Sequence, residues 1–439
     1  MERAGRKFAQ QRPVTKPASW IEIKIRGGAK EYRSMKALIV GAGAQGVVIS
    51  WVLTHSDDVS EVVVGDIDPS RTKEIVETNP SGKLKTERVD ASDINGMTKL
   101  IKDGRFDLVV NATLPVFNEN IMEACYEARV NYLDMASMVA FPGGDENIPV
   151  DQLKHAKKWE EASLKALILA GSDAGTTNVM AKEAADELDE VDSIKIKDYA
   201  VSESEKPIVL WQAQTYLTDL SLPAAVWDNG YKRVPPFSGE EEYDFPPPIG
   251  GKGKVYYHAH EEPITIPKFL GKPVKYVDFK MGELGIGVWK ALVDLGLMSQ
   301  DPVEVEGTKI APRSVFFKLL PSTPKPKELI ELIRSGKLKS RMMLTVDVDG
   351  KKAGKNVHYQ MWTDGPDCVA ACERIPGASD ISYATAVSAS VFSLMMLRGQ
   401  VKHTGVFPPE VFDREERFIY FKALKEWGIK IHKRVELIL

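Results

Sequence analysis

The chain has 439 residues, of which 43% are hydrophobic and 27% charged, and its formal net charge is -4. This length exceeds a single compact core and predicts at least two domains. The mild acidity excludes a basic surface for nucleic acid or for an anionic membrane, and no apolar run reaches the roughly 20 residues of a bilayer span. The three cysteines cannot all pair and match no zinc spacing, which favours free thiols and a cytoplasmic protein.

Residues 1–34 are rich in arginine and lysine and contain few acids. Such a composition is typical of a transit peptide, although Trp20 to Arg26 alternates like a short strand and no apolar signal core is present. The alternative is a flexible basic extension, with Met35 standing directly before the first clear strand.

From Lys36 onward, short apolar runs alternate with helical patterns. The runs predict strands at Lys36–Val40, Glu61–Asp66, Asp107–Asn111, Val130–Asp134 and Leu167–Ala170, and the more polar segment Lys85–Asp90 is interpreted as a further strand, which makes six. Strands that alternate with helices in this way favour a doubly wound parallel sheet, and the fold class is therefore α/β. We assign residues 35–170 to this domain.

The alternation stops after about residue 190. A strand-like segment at Ser193–Val201 precedes a stretch rich in proline, glycine and aromatic residues at Pro235–Pro267. The later elements of this mixed region are predicted at Val274–Met281, Arg313–Leu320, Met342–Val348 and, as a helix of small and apolar residues, Ser382–Arg398. We therefore expect an inserted α+β domain at 171–380 and C-terminal helices at 381–439 that return to the first domain.

The turn after the first strand reads GAGAQG, with glycines at Gly41, Gly43 and Gly46. These permit, in order, a tight turn, close approach of a pyrophosphate to the backbone, and close packing of helix on strand. Asp66 follows Gly46 by 20 residues at the end of the second strand, where a carboxylate accepts hydrogen bonds from the adenosine ribose. The motif indicates a dinucleotide site, against the simpler interpretation of a structural turn and a solvated aspartate.

Ligands of such sheets bind at the carboxyl ends of the strands. The residues expected there as cofactor contacts, besides those of the motif, are Ala44, Gln45, Arg71, Asp90, Ala112, Thr113, Pro115, Asp134 and Ala136. Asp66 predicts a preference for NAD, because its carboxylate would repel the 2′-phosphate of NADP. Arg71 lies close enough in sequence to accept that phosphate, so NADP is the alternative.

Further segments extend the pattern: NATLP at Asn111, NYLDMA at Asn131, GSDAGTTN at Gly171, FPPPIG at Phe245, APR at Ala311 and GVFPPE at Gly405. Together with GAGAQG, they resemble the saccharopine dehydrogenase-like enzymes, which include saccharopine reductases, lysine 6-dehydrogenases, and carboxynorspermidine and homospermidine synthases. The resemblance spans about Lys36 to Glu410. It implies hydride transfer between nicotinamide and a carbon that bears nitrogen, and a second domain that binds substrate and forms a homodimer.

The resemblance and the fold together suggest catalytic candidates in or near the second domain. Asp173 lies at the crossover between domains, where it either contacts substrate nitrogen or caps the following helix, and His260 with Glu262 follows the proline-rich stretch. The remaining predicted substrate contacts are Arg313 as a carboxylate clamp, Trp211 as a wall, Gly175 and Asn178. No metal is expected.

Three functions are compatible with these residues. The leading hypothesis is a dehydrogenase or reductase that acts on an amino-acid-derived amine, such as lysine or saccharopine. A polyamine-type synthase is the runner-up, and its pocket would contain more acids and fewer carboxylate-binding arginines. The third is a non-catalytic nicotinamide sensor, although a second domain of this size with an aromatic wall favours a substrate chamber.

Overall fold

The computed structural model describes residues 34–138 and 150–438. The expectations for the N-terminal extension therefore lie outside the described residues, apart from Ser34. The first strand begins at Met35, one residue before the predicted start at Lys36.

The first domain is built on strands whose apolar residues are buried on both faces, which is the condition for a covered parallel sheet. Its strands are β1 (Met35–Val40), β2 (Val59–Asp66), β3 (Leu84–Arg88), β4 (Leu108–Asn111), β5 (Asn131–Leu133) and β6 (Lys165–Leu167). The helices between them are α1 (Ala44–Thr54), α2 (Pro69–Thr78), α3 (Ile94–Gly104), α4 (Asn118–Ala128) and α5 (Ala156–Glu161). The strands are parallel in the order β6-β5-β4-β1-β2-β3, so the direction of winding reverses between β1 and β4. The doubly wound α/β fold is confirmed, and each of the six predicted strands overlaps an observed one. The sixth overlaps only at Leu167, because β6 ends where the prediction at Leu167–Ala170 begins.

The second domain contains a large mixed sheet. Its strands are β7 (Glu190–Ser204), β8 (Ala224–Asp228), β9 (Tyr231–Val234), β10 (Glu241–Phe245), β11 (Gly251–Tyr257), β12 (Val274–Glu283), β15 (Leu338–Lys352) and β16 (Lys355–Asp364), with a separate hairpin of β13 (Val303–Val305) and β14 (Thr308–Ile310). The helices are α6 (Thr176–Asp186), α7 (Ala213–Ser221), α8 (Glu262–Phe269), α9 (Ile286–Asp294), α10 (Pro312–Leu319), α11 (Pro326–Arg334) and α12 (Cys368–Arg374). β7 runs through the middle, parallel to β12 and antiparallel to β15.

The C-terminal segment contributes to both sheets. Its elements are α13 (Asp380–Leu397), β17 (Gly405–Phe407), α14 (Arg414–Glu426) and β18 (Lys430–Ile438). β17 pairs in parallel with β6 at the edge of the first sheet, whereas β18 pairs antiparallel with β16 at the edge of the second. The sequence predicts only helices here, because both strands are short or exposed and lack a long apolar run.

Helix α13 is apolar around most of its circumference because it is buried on most sides. It packs against α1, and in length and composition alone it would suffice to cross a bilayer. However, 78% of its 18 residues are buried inside the protein, where Val387, Val391 and Phe392 join the core of the first domain. We therefore interpret α13 as a core helix.

Candidate active site

The glycine-rich turn between β1 and α1 has the geometry that its three glycines suggest. Gly41 has a φ of +110°, and a Cβ atom there would lie 2.5 Å from the carbonyl oxygen of Ala112. A Cβ on Gly46 would lie 2.1 Å from the carbonyl oxygen of Gly41, so only glycine lets α1 approach the turn. A Cβ on Gly43 would meet nothing within 4 Å, which leaves open space directly before the helix.

That open space fits a pyrophosphate. Helix α1 has no side-chain cap and no acidic residue in its first turn, so its N-terminal N–H groups and helix dipole favour an anion. The side-chain oxygen Oε1 of Gln45 is buried and has no hydrogen-bond partner within the described residues. These features fit the phosphates of a dinucleotide, which the first-turn residues would hold.

Asp66 lies at the end of β2 with a fixed carboxylate. Its Oδ2 accepts a hydrogen bond from the backbone N–H of Ala42 at 2.8 Å, and its Oδ1 accepts from that of Asp68 at 2.9 Å. Arg71 lies in the first turn of α2, with its Nε 3.9 Å from the carboxylate of Asp68. Asp66 and Arg71 both line the cavity at the carboxyl ends of the strands, and Asp66 is therefore fixed beside the glycine-rich turn.

Asn111 organises the loop after β4. Its side-chain nitrogen donates to Asn118 at 2.8 Å and to the Tyr132 hydroxyl at 3.0 Å, while its side-chain oxygen accepts from the Thr113 N–H at 2.9 Å. Since Asn111 is buried, this network fixes the loop against Gly41 and presents Thr113 and Pro115 to the cavity.

A cavity of about 1260 Å³ extends from the glycine-rich turn to the second sheet. Its volume is sufficient for a dinucleotide together with a small substrate. The sequence-predicted site residues that line it are Gly41, Gly43, Ala44, Gln45, Asp66, Arg71, Asp90, Ala112, Thr113, Pro115, Ala136, Asp173, Trp211 and His260.

Six other sequence-predicted site residues do not line the cavity: Gly46, Asp134, Gly175, Asn178, Glu262 and Arg313. Asp134 is buried beneath the rim, where it accepts hydrogen bonds from the Leu169 N–H at 2.9 Å and from Gln152 at 3.1 Å. Burial raises the pKa of Asp134 to about 7. Its position indicates support of the strand ends rather than direct contact with a ligand.

The carboxylate clamp predicted at Arg313 has no counterpart in this geometry. The guanidinium of Arg313 lies 4.7 Å from the centre of the Phe317 ring and donates a hydrogen bond to the hydroxyl of Thr218. Because α10 directs it toward α7, it forms no part of the cavity wall.

His260 lies at the second-domain end of the cavity in a tightly defined setting. Its Nδ1 is hydrogen-bonded to Glu262, and its ring stacks on Phe279 with centroids 3.8 Å apart and planes 8° apart. The other carboxylate oxygen of Glu262 accepts a hydrogen bond from Thr177 at 2.7 Å. Glu262 therefore orients the imidazole from behind, and His260 faces the cavity.

The pKa values of His260 and Asp173 are both raised above the ordinary values of their types. Burial lowers the pKa of His260, but the nearby charges of Glu262, Glu261 and Asp173 outweigh it and raise this pKa to about 10. Burial raises the pKa of Asp173 to about 6, and the hydroxyl of Ser172 donates to its carboxylate at 2.5 Å. At neutral pH the pair offers a protonated imidazole and a carboxylate that titrates close to the working range.

Three further acids at the second-domain end of the cavity are missing from the sequence prediction: Asp198 on β7, Asp219 on α7, and Glu261. Glu261 accepts hydrogen bonds from the N–H and hydroxyl of Ser137, at 2.8 and 3.0 Å, and so joins the two domains. Asp198 could have been identified from the sequence, because it is an acid within the predicted strand Ser193–Val201. The sequence offers no such indication for Asp219, because an acid on a helix is usually solvated.

His260, Glu261 and Glu262 also place potential metal-ligand atoms within 4.8 Å of one another. Here, however, Nδ1 of His260 is engaged with Glu262, and Glu261 is engaged with Ser137. The arrangement is therefore that of a hydrogen-bonded acid–base cluster.

Comparison with known proteins agrees with this geometry over nearly the whole chain. Residues 37–179 match the family model of the saccharopine dehydrogenase NADP binding domain, and residues 171–429 match that of the saccharopine dehydrogenase C-terminal domain. A carboxynorspermidine synthase of Vibrio alginolyticus is 32% identical over 420 residues, which cover 91% of this chain and 96% of that protein. A carboxyaminopropylagmatine dehydrogenase of Synechocystis is 27% identical, with 91% of this chain and 98% of that protein covered.

The fold has a close counterpart among solved structures. Saccharopine dehydrogenase (L-Glu forming) from Saccharomyces cerevisiae superposes with a TM-score of 0.66 at 15% identity, covering 92% of this chain and all of that one. This chain therefore has the fold of that enzyme. Its own cavity lies between a glycine-rich turn that suits a dinucleotide and the acid–base cluster around His260. The chain belongs to the saccharopine dehydrogenase family and is a nicotinamide-dependent oxidoreductase.

Proposed function

We propose that this protein joins an amine to an aldehyde by NAD(P)H-dependent reduction and so forms the secondary amine of a polyamine-like product. The observation that carries the proposal is the charge of the substrate end of the cavity. Asp173, Asp198, Asp219 and Glu261 line it. The cations that also line the cavity are Arg71 on α2, Lys325, which forms an ion pair with Glu74 of α2, and Lys318 on α10, so the acids outnumber the cations around His260.

This wall favours the runner-up of the sequence analysis over the leading hypothesis. Saccharopine carries several carboxylates, which an acidic chamber repels, whereas a polyamine precursor carries ammonium groups, which it attracts. The names of the relatives point the same way, since carboxynorspermidine and carboxyaminopropylagmatine combine several nitrogens with a single carboxyl group, whereas saccharopine carries several carboxylates.

The residues around His260 suit the proton transfers of such a coupling. The attacking nitrogen must lose a proton, and Asp173 is a carboxylate at neutral pH with sufficient basicity to accept it. The oxygen of the resulting carbinolamine then leaves as water after it accepts a proton from His260, which Glu262 holds in the charged form. When bound, the reduced nicotinamide supplies the hydride that converts the iminium carbon into an amine carbon.

For the cofactor, we propose a preference for NAD over NADP. Both oxygens of Asp66 are tied to backbone N–H groups, so the carboxylate remains at the ribose end of the site. A 2′-phosphate there would meet a fixed negative charge. Arg71 would attract the 2′-phosphate of NADP. However, Asp68 lies 3.9 Å from Arg71 and partly neutralises its charge.

The experiment is a substrate panel with purified full-length protein, in which oxidation of NADH and NADPH is followed by absorbance. The test mixture contains 1,3-diaminopropane, putrescine or agmatine together with 2-amino-4-oxobutanoate, the aldehyde that a carboxylated aminopropyl arm implies. We expect oxidation only when diamine and aldehyde are both present, and a product mass equal to their sum less water plus two hydrogens.

The matched comparison uses lysine with 2-oxoglutarate, and the reverse reaction uses saccharopine or lysine with the oxidised cofactors. Turnover confined to these mixtures would overturn the proposal in favour of the saccharopine type. Cofactor binding without turnover of any pair would support the sensor hypothesis instead.

A further inference from the structure

We propose that Asp198 and Asp219 form a subsite for a second ammonium group, so that the amine substrate is a diamine. This inference rests on the proposed function and specifies its amine. In this inference, Asp198 and Asp219 determine whether the enzyme prefers a diamine over a monoamine of the same length.

Asp198 lies on a mainly apolar part of the sheet face, which it shares with one other acid, Glu283 of β12. On β7 it is flanked on the same face by Ile196 and Ala200, and across the sheet it pairs with Met281 of β12 and Leu344 of β15. A carboxyl group in such surroundings loses hydration without a compensating partner, which costs stability. Because Asp198 also lines the cavity, a cationic ligand there would provide the compensating partner.

Both carboxyl groups have an unfilled hydrogen-bonding position. Oδ1 of Asp198 and Oδ1 of Asp219 are buried and have no hydrogen-bond partner within the described residues. Both residues line the cavity, Asp198 from β7 and Asp219 from α7, and both lie near enough to His260 for its charge to act on them.

Within the described part of the chain, the surroundings of Asp198 and Asp219 provide no positive charge that is not already engaged with another acid. Burial raises the pKa of Asp198 and of Asp219 well above the ordinary value, and Asp173 and Glu261 respectively raise them further. His260 acts in the opposite direction on both but is already engaged with Glu262. An ammonium group between them would provide both the missing charge and the missing hydrogen-bond donors.

The occupant is the nitrogen that does not react. The attacking amine must be neutral, and adjacent carboxylates would hold it protonated. These two acids therefore suit the distal ammonium, while the nitrogen near His260 and Asp173 loses its proton. A monoamine would leave the subsite unfilled.

The test compares Asp198→Asn and Asp219→Asn with wild type, using 1,3-diaminopropane against propylamine and putrescine against butylamine, with saturating aldehyde and cofactor. Loss of a charge-assisted contact should lower kcat/KM for the diamines roughly 10–100-fold, mainly through KM. The monoamine values should stay unchanged or rise, so the preference for diamines collapses. Asp278→Asn is the matched control, because Asp278 is a buried acid of β12 that does not line the cavity, and its preference should equal that of wild type.

Calorimetric binding of each diamine to the cofactor complex without aldehyde separates this inference from the proposed function. Diamine binding that is lost in both variants supports the subsite even if turnover requires a different aldehyde. The subsite would be overturned if the variants lost kcat/KM equally for diamine and monoamine. It would also be overturned if the wild-type enzyme used both equally well. In either case the proposed coupling reaction would not be affected. Circular dichroism and cofactor affinity matching wild type would show that the variants are folded.

Discussion

Replacement of Asp66 by asparagine is the sharpest test of cofactor choice. The substitution removes a negative charge while it retains one oxygen for the backbone N–H of Ala42 or Asp68, which now lie 2.8 and 2.9 Å from the carboxylate. A phosphate charge about 5 Å away at an effective dielectric constant near 20 is disfavoured by about 3 kcal/mol, and partial exposure of the rim lowers this to about 1–2 kcal/mol. The preference for NAD over NADP should therefore fall roughly 10-fold.

The assay is fluorescence titration of NADH and NADPH into wild type and Asp66→Asn at one ionic strength. Glu87→Gln is the control, since Glu87 is an exposed acid on the neighbouring strand β3 outside the cavity, and its ratio of affinities should not change. If wild type binds NADPH as tightly as NADH, or if the ratio is the same in Asp66→Asn, the carboxylate does not discriminate and the reasoning is wrong.

Four other outcomes are expected. Gly43→Ala should fold like wild type but bind cofactor at least roughly 10-fold more weakly, whereas Gly46→Ala should lower Tm because its Cβ would meet a carbonyl 2.1 Å away; equal Tm values would contradict the packing argument. Activity should decline as pH falls through about 6, where Asp173 is protonated, and a pH profile unchanged in Asp173→Asn would remove it as the base. Burial raises the folded-state pKa of Glu410 to about 7, so its proton stabilises the protein at low pH and this contribution is lost as pH rises from about 4.5 to 7. Urea titration should accordingly show Glu410→Gln gaining stability relative to wild type above pH 7, by up to about 3 kcal/mol, and no gain would refute this. Light scattering should detect a homodimer, as the family resemblance implies, and a monomer at micromolar concentration would count against it.

The first sheet is predictable because its information is local. The strands of this sheet other than β3 contain short apolar runs, whereas β3 is polar and mostly exposed at the edge of the sheet. Gly41, Gly43, Gly46 and Asp66 have a fixed spacing within one strand–helix–strand unit. Similar local logic explains why Thr113 and Pro115 are expected at the rim, since they directly follow β4.

The substrate end is less predictable because its residues come from separate elements of the second domain. Asp198 and Asp219 meet His260 only after β7, α7 and the segment before α8 have packed around one cavity. Arg313 shows the converse: its residue type suits a clamp, but the direction of α10 points it to Thr218. Sequence spacing does not encode the relative placement of such elements.

The two edge strands near the C-terminus have a consequence for biosynthesis. β17 and β18 are made after the other strands of the two sheets, yet β17 pairs at an edge of the first sheet and β18 at an edge of the second. Until they leave the ribosome, β6 and β16 each expose a row of unpaired backbone groups, which is a template for association with other nascent chains. Premature termination between β17 and β18 should therefore yield aggregation rather than a shortened enzyme, because the edge of the second sheet at β16 would remain unpaired.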